Sequence, residues 1–203
     1  MARPRNQAAR RAQILDSAVD AIRDRGAGNV RIRDVAEAAG VSAGTVHYYF
    51  DDLDRLLIEV HSKATDRFFA ARMEAIADVP EAPEKLRIMV DSGLPTSRDD
   101  SMVVALYEIG LYKRADPVHA LLSRGLFDRQ VAVYHGVLEL GRSQGHFRID
   151  GPVMDVAQNL VALEDAYGMH IVSGNESLPW ERSRQLILSY ARCATSCTAL
   201  ESI

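Results

Sequence analysis

Residues 32 to 50 read Ile-Arg-Asp-Val-Ala-Glu-Ala-Ala-Gly-Val-Ser-Ala-Gly-Thr-Val-His-Tyr-Tyr-Phe. Their side chains suit recognition rather than bond-making. Val35, Ala36 and Ala39 give one small apolar helix face, and Gly40 can end that helix in a left-handed conformation without a Cβ clash. Ser42 follows as an N-cap, its hydroxyl placed to accept from the N–H of Gly44 or Thr45. Two short helices meeting at such a turn form a helix-turn-helix, whose second helix enters the major groove of DNA.

The elements that must hold this unit are also helical. Segments between Gly and Pro run at helical length and period, and strand-like alternation between hairpin turns is absent. The spacing predicts a helix over 7–25, with Ile14, Ala18 and Ile22 on one face and Gly26 at its end. The motif helices take about 32–39 and 43–49. A longer helix starts near 52, with Leu53, Leu56, Leu57 and Val60 inward and Phe68, Phe69 and Met73 further along. Further helices are expected over 84–92, 101–114, 117–144, 152–173 and 179–200. The fold expected is all-α, about nine helices, with a three-helix DNA-binding domain over 1–52. A helical effector-binding and dimerisation domain would fill 53–203.

The net charge of −4 suits DNA poorly until it is divided. Residues 1–55 hold nine basic and eight acidic residues, whereas the rest hold 15 and 20, so the excess acid lies outside the motif. Arg3, Arg5, Arg10 and Arg11 precede any acid, and a local basic arm can neutralise phosphates whatever the charge of the whole chain. A hydrophobic content of 47% is ample for a core. No apolar run approaches the ~20 residues of a membrane span, and no apolar stretch follows the basic N-terminus as in a secretory signal. Two cysteines make no disulfide framework of the secreted type. A cytoplasmic protein without membrane contact is the expectation.

With these features in this order, the chain resembles the TetR family of one-component transcriptional regulators. Arg31 to Leu57 (RIRDVAEAAGVSAGTVHYYFDDLDRLL) carries the resemblance, above all Gly44 to Phe50. More loosely, Gln144-Gly-His-Phe-Arg-Ile-Asp and Ala162-Leu-Glu-Asp-Ala-Tyr-Gly-Met-His look like the betaine-type regulator subgroup. The resemblance implies that Ser42 and Thr45 touch phosphate or cap the recognition helix, and that Gly44 lets the backbone approach DNA. His47 and Tyr48 would project into the groove, Tyr49 would hydrogen-bond a phosphate, and Val41, Val46 and Phe50 would be core. Rival readings stand beside these: either tyrosine could pack on the first helix, and Ser42 could be a cap alone. Three positions depart from the family pattern. Ala43 stands where Lys is frequent, Asp51, Asp52 and Leu53 stand near another frequent Lys, and Arg31 replaces a frequent capping Thr. Fewer lysines mean a shallower salt dependence, which Arg31, Arg33 and the arm of Arg5, Arg10 and Arg11 would offset. Base reading would lean on His47, with Arg31 as a second reader.

A DNA reader of ~50 residues needs no further 150, and the resemblance implies an effector pocket and a homodimer through the last two helices. The stripe Val153, Val156, Leu160, Leu163 and Tyr167 faces inward with Glu164 beside it. Glu108 and Tyr112 lie at i, i+4, and Tyr134 and His135 share the middle of the long helix. A buried carboxylate is paired, protonated or bound to a cation. Two acids with tyrosines suit a cationic or amine-bearing effector, against the simpler reading of salt bridges within the protein. Leu186, Ile187, Tyr190, Cys193, Ala194 and Cys197 make a small apolar stripe for a second copy. The two cysteines read as interface packing, and His61, His119, His146 and His170 as surface or satisfied histidines. No cofactor is expected. The leading reading is an effector-released repressor of a palindromic operator. Its alternatives are a DNA-binding protein without an effector, or an enzyme using the helical body. Against the latter, no nucleophile elbow, phosphate loop, dinucleotide fingerprint or metal motif occurs.

Overall fold

The computed structural model describes residues 3–97 and 100–200, with side chains from residue 7 onward. Among the described residues run nine α-helices and no strand, as the helical periodicity predicts. They are α1 (Arg3–Arg25), α2 (Ile32–Ala38), α3 (Ala43–Tyr49), α4 (Leu53–Ile76), α5 (Ala82–Gly93), α6 (Ser101–Tyr112), α7 (Pro117–Ser143), α8 (Val153–Val172) and α9 (Trp180–Thr195). α9 ends five residues short of the expected 200. Ser196 adopts a left-handed φ of 52°, and a 3-10 turn, Thr198–Leu200, follows. No described helix is long and apolar enough to cross a membrane.

The chain forms two compact units, one of Met1–Asp66 with Asp99–Ser123 and one of Arg67–Arg98 with Arg124–Ile203. This division differs from a cut after residue 52. In the first unit, Ala105 and Ile109 of α6 enter the same core as Ile14, Ile22, Val46 and Phe50. The start of α4 belongs there as well, since Leu56, Leu57 and Val60 are fully buried in that core.

Local signals fix the turn between α2 and α3. Gly40 takes φ +62°, and the Val41 N–H donates to the Ala36 carbonyl at 2.9 Å. The Ser42 hydroxyl accepts from the Thr45 N–H at 3.0 Å, which caps α3 as its position predicts. Asp52 caps α4 in the same way, its Oδ1 accepting from the Arg55 N–H at 2.7 Å. The acid that replaces a frequent basic residue thus has a structural task.

The second unit packs α5, α8, α9 and the later parts of α4 and α7 around Leu86, Met89, Leu138, Leu160 and Ile187. Two helices are rotated from the sequence expectation. On α8 the buried set is Val153, Ala157, Leu160, Val161, Glu164, Gly168 and Ile171, so Glu164 lies within the stripe instead of beside it. Val156, Leu163 and Tyr167 only flank it. On α4 Met73 is 39% exposed and the neighbouring Arg72 is wholly buried. A hydrophobicity pattern would choose the reverse.

Candidate nucleic-acid interface

The outward face of α3 is set by what its inward face must bury. Val46 and Phe50 are in the core, and with 3.6 residues per turn that leaves Ala43, Gly44, His47 and Tyr48 exposed together. Ser42 is exposed at the cap, while Thr45 and Tyr49 are half-buried at the edges. Tyr48 is 71% exposed, which no packing role requires. Its ring meets that of Tyr49 edge-on, with centroids 5.0 Å apart, and its hydroxyl accepts from Gln7 Nε2 at 3.3 Å. Gln7, Ala8, Arg11, Tyr48 and Tyr49 line an open cleft of about 490 Å³ alongside. Tyr48 and Tyr49 are therefore a coupled pair at the seam of α1 and α3.

The arginines divide by partner. Arg31 and Arg33 are exposed, and Arg33 lies 3.8 Å from Asp34, too far for a tight pair. Asp34 Oδ2 instead accepts from the Arg31 N–H at 2.8 Å, which secures the start of α2. Arg10 bonds Gln13 at 2.8 Å. Arg11 is committed inward: it pairs with Glu59 on α4 and sits 4.8 Å over the Phe50 ring. It ties α1 to α4 and to Phe50 at the end of α3. The Arg5 side chain lies outside the described residues.

Within the first unit the structure also joins two histidines that sequence spacing leaves apart. His61 of α4 and His119 of α7 are both 1% exposed, their rings are stacked, and their Nδ1 atoms are 2.9 Å apart. One ring must donate and the other accept, so at most one Nδ1 carries hydrogen. Burial, then the His119 charge, depresses His61 to about 4. No cluster of three or more His, Cys, Asp or Glu suited to a metal occurs among the described residues.

The six residues expected at an effector fall into separate settings. Glu108 and Tyr112 belong to the first unit. Glu108 Oε2 accepts from the Ala27 N–H at 3.3 Å, and the half-exposed Tyr112 ring lies against Gly28. His135 and Tyr167 are half-buried in the second unit. Tyr134 and Glu164 meet. The Tyr134 hydroxyl donates to Glu164 Oε1, and burial holds Tyr134 well above the usual phenol range, so it remains a donor.

Their company includes a residue the sequence reading missed. Arg72 donates from Nη1 to Glu164 Oε2 at 2.9 Å and from Nη2 to Oε1 at 2.7 Å, a two-pronged ion pair. The remaining Nη hydrogens reach Gln130 Oε1 at 2.6 Å and the Met89 carbonyl at 2.9 Å. Its Nε, also buried, has no acceptor. Burial opposes the Arg72 charge, but the adjacent Glu164 and Tyr134 outweigh it and hold its pKa above the ordinary value. For Glu164 burial is the larger influence and raises the carboxyl despite Arg72. Glu164 thus finds its charge partner inside the chain, the simpler of the two readings left open for it.

Gly93, the last residue of α5, makes room for this pair. A Cβ there would penetrate the Glu164 carboxylate, which Arg72 holds in place. Alanine in a helix gains up to ~1 kcal/mol over glycine, while overpacking a core costs about 1–3 kcal/mol. Gly93→Ala should therefore destabilise the protein by up to about 2 kcal/mol net in urea unfolding. A stabilised variant would show that the carboxylate moves freely.

The two cysteines do not share a helix face: Cys193 is exposed, and Cys197 is buried beyond the end of α9. Leu186, Tyr190 and Ala194 remain half-buried on the outer side of α9.

Comparison with known proteins bears on both units. The sequence profile of the bacterial regulatory proteins of the tetR family matches residues 14–60, the span from α1 to the first part of α4. The transcriptional repressor KstR2 of Rhodococcus jostii is 26% identical over 148 residues, 70% of this chain and 69% of that protein. The regulator BetI of Escherichia coli is 30% identical over 87 residues, 43% of this chain and 45% of its own. A transcriptional regulator of Saccharomonospora viridis, solved in complex with choline, superposes with a TM-score of 0.82 at 26% identity, covering 90% of this chain and 95% of that one.

Proposed function

The chain belongs to the TetR family of bacterial transcriptional regulators, and from that premise we propose that it is a repressor whose homodimer holds a palindromic operator until a small molecule enters its helical body. The observation that carries the DNA-binding part is the face of α3. His47 and Tyr48 stand exposed on a helix whose other side is locked by Val46 and Phe50. A reader must be rigid, because each base contact depends on an angle as well as a reach.

The dimer reading is supported by the outer sides of α8 and α9. Val156, Leu163 and Tyr167 on α8, and Leu186, Tyr190 and Ala194 on α9, keep apolar surface in water. Asn159 Nδ2 donates to the Tyr190 hydroxyl at 2.9 Å, linking the two helices into one surface. Two copies joined there would carry two reading helices for two half-sites. Ligand control supplies a reason for the second unit, and the relative solved with choline supports it. Release requires that the effector bind the two conformations unequally, and operator must then weaken effector by the same factor. α4 contributes residues to both units and is the proposed transmitter.

Selection of sites from random duplex DNA by the purified protein tests the reading. Enrichment of a palindrome at fixed half-site spacing is expected, and no enrichment by a folded dimer would reject it. The roles on α3 separate in the same assay. Tyr49→Phe, losing one phosphate hydrogen bond worth about 1 kcal/mol, should weaken all sequences about fivefold alike. His47→Ala should change the preferred base at one position of each half-site, by about 1–3 kcal/mol of discrimination. Equal shifts for both variants would refute this division of labour.

A further inference from the structure

Resting on the effector-responsive reading above, we propose that the effector is an organic anion, and that its carboxylate takes the place of Glu164 on Arg72 while Glu164 takes up a proton. The argument begins with what each member of the buried pair can become. Arg72 and Glu164 are 0% and 2% exposed, and together they are neutral. A guanidinium does not lose its proton in a protein, whereas a carboxylate readily gains one. A cation arriving at Glu164 would leave Arg72 as a second buried positive charge with no means of neutralisation. An anion arriving at Arg72 leaves Glu164, which becomes neutral by accepting one proton from solvent. The count then balances: one guanidinium, one ligand carboxylate, one carboxylic acid.

The site already has the shape of a carboxylate. Gly93 leaves a niche that a Cβ would close, and the Glu164 carboxylate fills it. Around the niche stand both Arg72 Nη groups, the Tyr134 hydroxyl and Gln130, which also bonds Arg72. These are donors and supports for a carboxylate, and none depends on the rest of the glutamate. The unpartnered Arg72 Nε adds one more buried donor with no acceptor, on a side chain without any exposure. Phe68 and Tyr134 flank the guanidinium at 6.0 and 5.0 Å, offering apolar contact to what is attached to the carboxylate. The titratable groups at Glu164 are Arg72 from α4, Tyr134 from α7 and Asp165 on α8 itself; α5 contributes the Met89 carbonyl through Arg72. Burial already raises Glu164, which lowers the cost of its protonation.

Wild-type protein is tested with sodium hexanoate, hexylammonium chloride and hexanol at matched concentration and ionic strength. Thermal stability and affinity for the selected operator are both read. Hexanoate should raise Tm by several degrees and weaken operator binding. Calorimetry in buffers of different ionisation enthalpy should show uptake of about one proton per chain. Asp165→Asn should preserve that uptake, because Glu164 is the acceptor. In a second arm, Glu164→Ala should lower Tm, and acetate should restore part of it where equal sodium chloride does not. Arg72→Met in that background should abolish the rescue. A larger response to hexylammonium or hexanol, or no distinction between acetate and chloride, overturns the proposal. If Glu164→Ala does not fold, the wild-type series decides alone. A release driven by hexylammonium rejects the anion while leaving the effector-responsive reading intact. Absence of any effect of all three on operator and Tm rejects the carboxylate exchange alone, because three six-carbon probes do not test effectors of other size or shape.

Discussion

Arg72→Met should remove about 3–5 kcal/mol of stability, the usual consequence of deleting one member of a buried ion pair. The native protein places both prongs of the Arg72 guanidinium on Glu164 and satisfies two further hydrogens with Gln130 and the Met89 carbonyl. Methionine fills similar volume, so the loss arises from the stranded carboxylate instead of from a cavity. That carboxylate would retain the Tyr134 hydroxyl as a donor and would escape its charge by protonation. The sign of the pH dependence follows. A carboxyl whose folded pKa is raised further binds its proton more tightly folded than unfolded, so the variant loses stability as pH rises above the unfolded value near 4.5. Urea unfolding at pH 5 and pH 8 should show the larger deficit at pH 8. The double variant Arg72→Met, Glu164→Leu should recover most of the loss, since an apolar replacement of a whole buried pair is commonly neutral. A double variant no better than the single one would mean that Arg72 acts chiefly through Gln130 and Met89.

Comparison of Arg72 with α3 shows why one was legible in the sequence and the other was not. The face of α3 depends on contacts within about 20 residues: the Gly40 turn, the Ser42 cap and the helical spacing of Val46 and Phe50. Each carries its own local signal, and the structure keeps all of them. Ile14, Ala18 and Ile22 were equally readable, because a stripe at i, i+4, i+8 has one way to be buried. Arg72 has no such signal. Its partners lie 58 and 92 residues away, and hydrophobicity alone assigns the inward place to Met73. Glu164 was visible as an anomaly on an apolar helix, but its partner could not be named until α4 was rotated to bring Arg72 inward. The His61–His119 pair failed for the same reason, with 58 residues between two side chains that each look ordinary. Glu108 and Tyr112 lie on α6, whose Ala105 and Ile109 enter the core around α1, a long-range packing that no local signal in α6 announces.

That histidine pair leads to the second large effect, loss of stability and operator binding on mild acidification. Depression of His61 to about 4 from 6.5 means that the folded state binds its proton more weakly than the unfolded chain does. Stability from this group is complete above pH 6.5 and declines as pH falls through the interval to about 4. With each unit worth 1.36 kcal/mol, the full loss is about 3 kcal/mol. His119 moves in the same direction, chiefly through burial; Asp116 and Asp54 counter this and Lys113 adds to it. The pair cannot hold two charges, because imidazolium rings facing each other at 2.9 Å have two donors and no acceptor. Since both residues lie in the unit that carries α3, DNA binding should fail over the same range as the fold. Thermal melts from pH 7.5 to 4.5 should fall steeply below 6.5 in the wild type and more gently in the variant His61→Leu, His119→Leu. Most carboxylates titrate lower, near 4, so the interval from 6.5 to 5 separates the histidines from general acid unfolding. Equal slopes for the two proteins across that interval would show that the pair already accepts a proton in the folded state, through a rearrangement that parts the rings.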